Sequence, residues 1–316
     1  MASVVATGGA GRALTLADLA GDTRRRRRER LIRAAFLAAA TVSVMISALI
    51  VISVIGKATT FLTLISPSQL MAGGWFPRQG DFGIPTLLAG TLIVTAIAMA
   101  VATPLGLGAA IYLSEYARPR ARRALKPILE ILAGIPSVVL GYFALNVISP
   151  DLVRKVFSQA TLFNLAAAGI AVGILVTPLV ASVAEDAMFA VPRSLREAAY
   201  GLGAKKRNTS LRVVFPAAVS GIVAALILGI SRAIGETMVV AIAAGATGNS
   251  LFTLNPLHYG QTMTTAMSSL AIGSDAVGGS RAAVPSLFFV GLLLFLMTFA
   301  LNLAADRFVR RVRNRY

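Results

Sequence analysis

The sequence has no cysteine and one histidine, His258, in 316 residues. Disulfides, a thiolate nucleophile and cysteine-type zinc centres are excluded, and paired-histidine metal motifs cannot be built from one imidazole. Charge is scarce too: 14% of the residues are Asp, Glu, Lys or Arg, against about 25% in an average soluble domain. Acid is the scarcer sign, with thirteen Asp and Glu against thirty Lys and Arg for a formal +17. In a soluble chain that imbalance would point to nucleic acid. No Gly-x4-Gly-Lys-Ser/Thr stretch exists, so the chain cannot be its own P-loop ATPase.

What is abundant is apolar residue, 56% of the chain, in long blocks with the charges confined between them. A membrane-spanning helix needs about 20 mainly apolar residues. Six stretches qualify: Ala34–Gly56, the segment between Asp81 and Glu115, and segments from about Pro127 to Pro150, Asn164 to Ala184, Pro216 to Ala244 and Val284 to Ala305. The second, too long for a bilayer core if straight, is expected to project or tilt, with Pro104 as a kink point. These spans predict an all-α, polytopic membrane bundle. A basic tail over residues 1–33, a six-span domain over 34–305 and a basic tail over 306–316 divide the chain.

The basic residues test this partition, because Lys and Arg stay preferentially on the cytoplasmic side. Residues 1–33 hold eight, the 115–126 loop five, the 185–212 loop six and the tail from Arg307 five, leaving only Lys57, Arg78, Arg154, Lys155 and Arg281 in the alternate loops. Six spans with both termini in the cytoplasm satisfy the rule at every loop. The run Arg24–Arg28 could be a nucleic-acid arm, but its place directly before the first span favours an anchor on anionic membrane lipid. No nucleic-acid partner is therefore expected. Residues 1–20, small and weakly polar, have a disordered composition.

The longest cytoplasmic connection, Glu185–Arg212, is patterned as two short helices. Pro192 is placed to open the second, Leu195, Ala198, Ala199 and Leu202 recur at helical spacing, and Gly203 suits a left-handed cap. Glu197-Ala198-Ala199, then Gly203, then Val213-Val214-Phe215-Pro216 resembles the EAA loop of ABC-importer permeases, with Phe215 where that family usually has leucine. The resemblance implies a MetI-like architecture and a short helix over roughly Pro192–Leu202 that docks on an ATPase subunit. Glu197, Ala198, Ala199, Gly203 and Pro216 are then the coupling residues.

Arg232 and Glu236 fall inside the fifth span, where each charge costs roughly 2.5–3.5 kcal/mol on insertion scales. At i and i+4 on a helix they can neutralise each other, and Gly235 between them would admit a neighbouring helix. One reading is a buried structural pair. The other is a site on a permeation path, since a guanidinium offers forked donors matching phosphate oxygens. Ser231-Arg232-Ala233-Ile234-Gly235-Glu236-Thr237-Met238, with Gln261-Thr262-Met263-Thr264 and Gly134-Ile135-Pro136-Ser137-Val138-Val139, resembles the phosphate-specific ABC permeases. The long basic N-terminus is more like their PstC-type subunit than the PstA-type partner.

That resemblance implies a non-catalytic subunit, without cofactor, in the inner (plasma) membrane of a prokaryote. Its implied partners are a PstA-type permease, two ATPase subunits and an external phosphate-binding protein, with Arg232, Glu236 and Thr237 on the substrate path. Two alternatives stand beside it: an importer for another oxyanion such as sulfate or molybdate, and an intramembrane enzyme using Glu236 or Asp306. Among lesser candidates, Glu130 reads as a helix-end charge, and Asn146, Ser137, Thr177 and Thr237 as groups able to bond across helices. His258 reads as a solvated or locally packed outer-loop residue.

Overall fold

The computed structural model describes residues 23–71, 73–245, 250–273 and 280–313. The expected tail over residues 1–20 lies outside them, as does the end of the chain beyond Arg313. The chain divides into two units, residues 1–53 and 54–316. The described part of the first is the leading portion of α1 (Thr23–Leu64). Its large apolar side chains from Leu31 to Ile50 are exposed, as for a helix that meets lipid all round. α1 already takes in the basic residues ahead of Ala34: arginine is a good helix former, so the backbone is helical through the basic run before the apolar stretch begins.

The second unit continues with α2 (Pro67–Leu70), β1 (Gly74–Phe76), β2 (Asp81–Phe82), α3 (Ile84–Ile111), α4 (Pro119–Ala133), α5 (Ser137–Phe143) and α6 (Leu165–Phe189). Then come α7 (Arg193–Gly201), α8 (Lys206–Thr209), α9 (Val219–Ile234), α10 (Met238–Val240), β3 (Ser250–Leu251), α11 (Met263–Ile272) and α12 (Ala283–Arg313). Wide-turn π segments extend α3 over Tyr112–Tyr116 and α5 over Ala144–Val153, precede α9 at Ser210–Val214, and follow α10 at Ala241–Gly245. Asn164 caps α6 by accepting a hydrogen bond from the Ala167 amide at 2.7 Å, so the fourth expected span starts where its sequence suggests.

Among the described residues, four helices are long and apolar enough to cross a membrane, and two bent pairs bring the number to six if each pair is one span. The expected third span is not one helix: α4 and the helix from Ser137 to Val156 meet at 84°. Gly134 ends α4 and Pro136 caps the next helix; proline lacks the amide needed to continue the ladder and drives Ile135 out of helical backbone. The expected fifth span is broken twice. The helical run Lys206–Ala217 meets α9 at 72°, and α9 ends at Ile234, with Gly235 as its cap. The all-α expectation also needs one amendment: β2-β1-β3 form a small antiparallel sheet. Trp75 sits opposite Phe82 on one side and Ser250 on the other.

Three apolar clusters hold this unit. The central one joins α3 and α6 to the Ala144–Val153 turn and α10. There the fit is between glycines and branched side chains: Gly169 and Gly173 of α6 seat Ile97 and Val101 of α3, and Val180 of α6 lies against both Gly106 and Gly229, where an added Cβ would come within 2.8 Å. In the second, Phe61, Trp75, Phe82 and α12 residues pack together, with Phe61 edge to ring against Phe82 and tilted against Phe289, its ring centre 5.1 Å from both. The third cluster, around Ala184, Met188, Val214 and Ile222, lies where the basic residues gather.

Candidate functional site

Two constellations emerge, one at the break after α9 and one at α7. Arg232 occupies the last turn of α9, where a cation complements the helix dipole. Its Nη2 lies 3.5 Å from Glu236 Oε2; the Arg232 side chain is 52% exposed, that of Glu236 4%. The pair expected from the i, i+4 spacing forms, but not along a continuous helix. Glu236 stands in the break, and its carboxylate also accepts from the Val239 amide in α10 at 3.4 Å. Gly235 admits no neighbouring helix: a Cβ there would meet only the carbonyls of Ser231 and Arg232. Its place is explained by ending α9.

The second stretch of the phosphate-permease resemblance reaches this break. Thr264 donates to the Glu236 carbonyl at 2.8 Å, and the Met263 amide donates to Thr91 of α3 at 3.0 Å. Thr262 caps α11. A carbonyl left without a helical partner by the break is thus satisfied by a side chain 28 residues on, as a buried backbone group requires. Thr237, half-buried, bonds only locally to the Gly235 carbonyl at 3.4 Å. Cross-helix bonds expected of Thr177 and Asn146 are replaced by bonds to their own helices, to Gly173 and Tyr142, the usual return of such side chains to a carbonyl one turn back. Glu130 is exposed on α4, and exposed His258 contributes its carbonyl to the Leu165 amide.

At α7, Pro192 is the N-cap rather than the first helical residue, and Glu185 and Asp186 belong to α6, not to the loop. Gly203 has φ +75°. Its amide donates to Tyr200 and that of Ala204 to Ala199, the paired bonds of a Schellman turn. Glu197 and Ala198 are exposed, and Ala199 alone on the helix is buried. Leu195 and Tyr200 are also exposed and Leu202 is 90% exposed. Of the apolar stripe expected from helical spacing, only Ala199 faces the unit's own core; Leu195, Ala198 and Leu202 face away from it. Pro216 lies just before the 72° bend at Ala218.

Sequence reasoning missed the ion pairs beside α7. Arg196 Nη2 meets Glu115 Oε1 at 2.9 Å and the Met188 carbonyl at 2.8 Å; Nη1 meets the Val191 carbonyl at 2.6 Å. Fully buried Glu185 receives Arg122 and Lys126, the latter at 2.9 Å, while Lys126 also reaches Asp186 at 2.6 Å. Arg122 stacks on Phe189 at 3.7 Å. A recess of about 340 Å3 between Ser114, Phe189, Arg193, Arg196 and Glu197 completes this end. The partners are far apart in sequence, so no local spacing could reveal them.

This arrangement of spans defines the class: it is the MetI-like permease fold of ABC transporters. Solved structures that share it include a bacterial ABC transporter involved in the import of the acidic polysaccharide alginate, with TM-score 0.61 and 16% identity over 90% of this chain and 99% of that one. The inward-facing MetNI methionine ABC transporter gives TM-score 0.53 and 20% identity over 73% and 94%. The chain belongs to the family of binding-protein-dependent transport system inner membrane components, whose pattern matches residues 102–314. Among its relatives, the probable ABC transporter permease protein YqgH of Bacillus subtilis is 31% identical over 85% of this chain and 87% of that protein. The phosphate transport system permease proteins PstC of Haemophilus influenzae, 32% identical over 83% and 86%, and PstC 1 of Mycobacterium tuberculosis, 33% identical over 75% and 75%, are similar.

Proposed function

We propose that this permease is the PstC-type subunit of an ATP-driven phosphate importer in a prokaryotic inner membrane. It pairs with a homologous PstA-type subunit, two ATPase subunits and an external phosphate-binding protein. The observation that carries the phosphate reading is the Arg232–Glu236 pair: a half-exposed guanidinium held at 3.5 Å by a buried carboxylate, in the stretch that resembles phosphate permeases. At that distance the pair is loose and most of the guanidinium fork is unengaged, so an anion can take Arg232 while Glu236 keeps its bond from Val239. One anionic partner is exchanged for another, which keeps the arginine compensated before, during and after passage. Thr237 completes the path beside them.

At the cytoplasmic end, exposed Glu197, Ala198 and the apolar side chains beside them form the face that meets the ATPase. The Schellman turn at Gly203 and the bend after Pro216 return the chain to the membrane. Closure of the ATPases on ATP moves α7, and the spans rock to change access to Arg232. The chain itself performs no bond chemistry. The relatives named as phosphate permeases support the choice of anion. Reconstituting the complex with its binding protein and comparing ATP hydrolysis with phosphate, sulfate and molybdate tests the reading. Phosphate is expected to stimulate; stimulation by sulfate or molybdate alone would assign the importer to another oxyanion.

A further inference from the structure

α7 poses a mechanical problem. It is nine residues long and buries one side chain, Ala199, so apolar packing gives it little purchase on the rest of the unit. A segment held so weakly would swing when pushed, and the push would be absorbed in the short connection at Ala190–Pro192. What fastens it is charge. The Arg196 guanidinium reaches Glu115 through Nη2 at 2.9 Å and Nε at 3.3 Å, and the carbonyls of Met188 and Val191 at 2.8 and 2.6 Å. Glu115 lies in the π segment that extends α3, while Met188 and Val191 lie at the end of α6 and just beyond it. One side chain therefore binds three elements. The Glu115 side chain is 3% exposed and that of Arg196 16%, so solvent screens the pair far less than a surface bridge. Beside it, the Lys206 ammonium lies 5.0 Å from the Tyr116 ring centre, a second and weaker tie from α8 to the same π segment.

We propose that Arg196 is a positioning residue for energy coupling: it makes α7 and the ends of α3 and α6 one rigid body, so that displacement of α7 reaches the spans. The inference rests on the reading that α7 docks on the ATPase, and gives that docking its route inward. Arg196 commits four of its five N–H donors within the chain, so its part is transmission rather than recognition of the partner. Lysine keeps the charge but not the planar fork, and cannot hold a carboxylate and two carbonyls in the same geometry.

Because the chain has no cysteine, the link can be removed and then replaced covalently. The experiment compares wild type, Arg196→Lys and the double variant Glu115→Cys/Arg196→Cys, each in the full complex in proteoliposomes with binding protein and phosphate. The measurement is phosphate imported per ATP hydrolysed, with ATPase retention on the purified complex as the assembly control. Removing both charges together avoids stranding a buried carboxylate. Arg196→Lys and the untreated double variant should retain the ATPase yet lose roughly tenfold in phosphate per ATP, within the range by which residues linking two sites alter coupling. Bridging the two cysteines with a short bis-maleimide should restore most of that loss. Normal coupling in the untreated double variant overturns the proposal, as does failure of the bridged protein to recover while the ATPase remains bound. A wild-type complex that neither binds the ATPase nor responds to phosphate overturns the importer reading and this inference with it.

Discussion

The Arg232–Glu236 pair gives the sharpest test, because its two readings separate in a charge-neutral double variant. Arg232→Ala leaves Glu236, 4% exposed, with one remaining hydrogen bond from the Val239 amide at 3.4 Å. Breaking a fully buried pair costs about 3–5 kcal/mol, whereas an exposed pair is worth about 0.2–1 kcal/mol. With Arg232 half in solvent, the cost should fall between, about 2 kcal/mol, and should appear as lower thermal stability of the detergent-solubilised complex. Arg232→Met/Glu236→Gln removes both charges, and the glutamine can still accept from Val239. Its stability should return close to wild type. Phosphate uptake by reconstituted vesicles should remain lost, because a neutral pair restores packing without restoring a guanidinium. Arg232→Lys should assemble normally and transport poorly, since it lacks the fork. Uptake at the wild-type rate by the Met/Gln variant would refute any role for Arg232 on the path and leave a structural pair.

Gly203 has open space around its Cα and a φ of +75°, so Gly203→Val should cost about 1–2 kcal/mol through backbone strain alone, while Gly203→Asn should be tolerated; ATPase retention on the complex reports both. Glu185→Ala removes the buried carboxylate that Arg122 and Lys126 share; because both cations are partly in solvent and Lys126 keeps Asp186, it should lower stability by about 1.5–3 kcal/mol, with Glu185→Gln in between; melting of the purified subunit measures it. Single cysteines on the cysteine-free background fix the orientation. Lys205→Cys should react with an impermeant maleimide only from the cytoplasm, and the exposed Met71→Cys and Ile272→Cys only from outside. Labelling of Lys205→Cys from outside would discard both the span order and the docking role of α7.

Much of this structure could be read before any coordinates. The blocks of apolar residue marked where the four long helices run, and the need for φ above zero picked out Gly203, because these signals are local. What escaped was set by geometry between distant segments. The break that puts Glu236 outside α9 has a local cause in Gly235, yet the run from Val219 to Val240 is apolar enough to look continuous. The 84° turn at Gly134–Pro136 was hidden the same way: hydropathy does not register direction. Arg122, Lys126 and Arg196 were counted as positive charges on the cytoplasmic side, but their acids, Glu185 and Glu115, lie 63, 59 and 81 residues away. The small sheet involves only two or three residues per strand, too few for an alternating pattern to register.

The glycine seats between α3, α6 and α9 work like keys in slots. Ile97 and Val101 occupy notches one helical turn apart, and Val180 is gripped from two sides by Gly106 and Gly229. Sliding any of these helices by part of a turn would drive a branched side chain onto a filled position, and close-packed interiors do not deform continuously. Sliding of these helices is therefore resisted by the interior of the unit, while the helical runs bend or break at three places: the corner at Gly134–Pro136, the bend at Ala218 and the gap at Gly235–Thr237. The last of these places carries Glu236, so on the proposed reading the chain interrupts its helical course at the same few residues that would release the arginine to an anion.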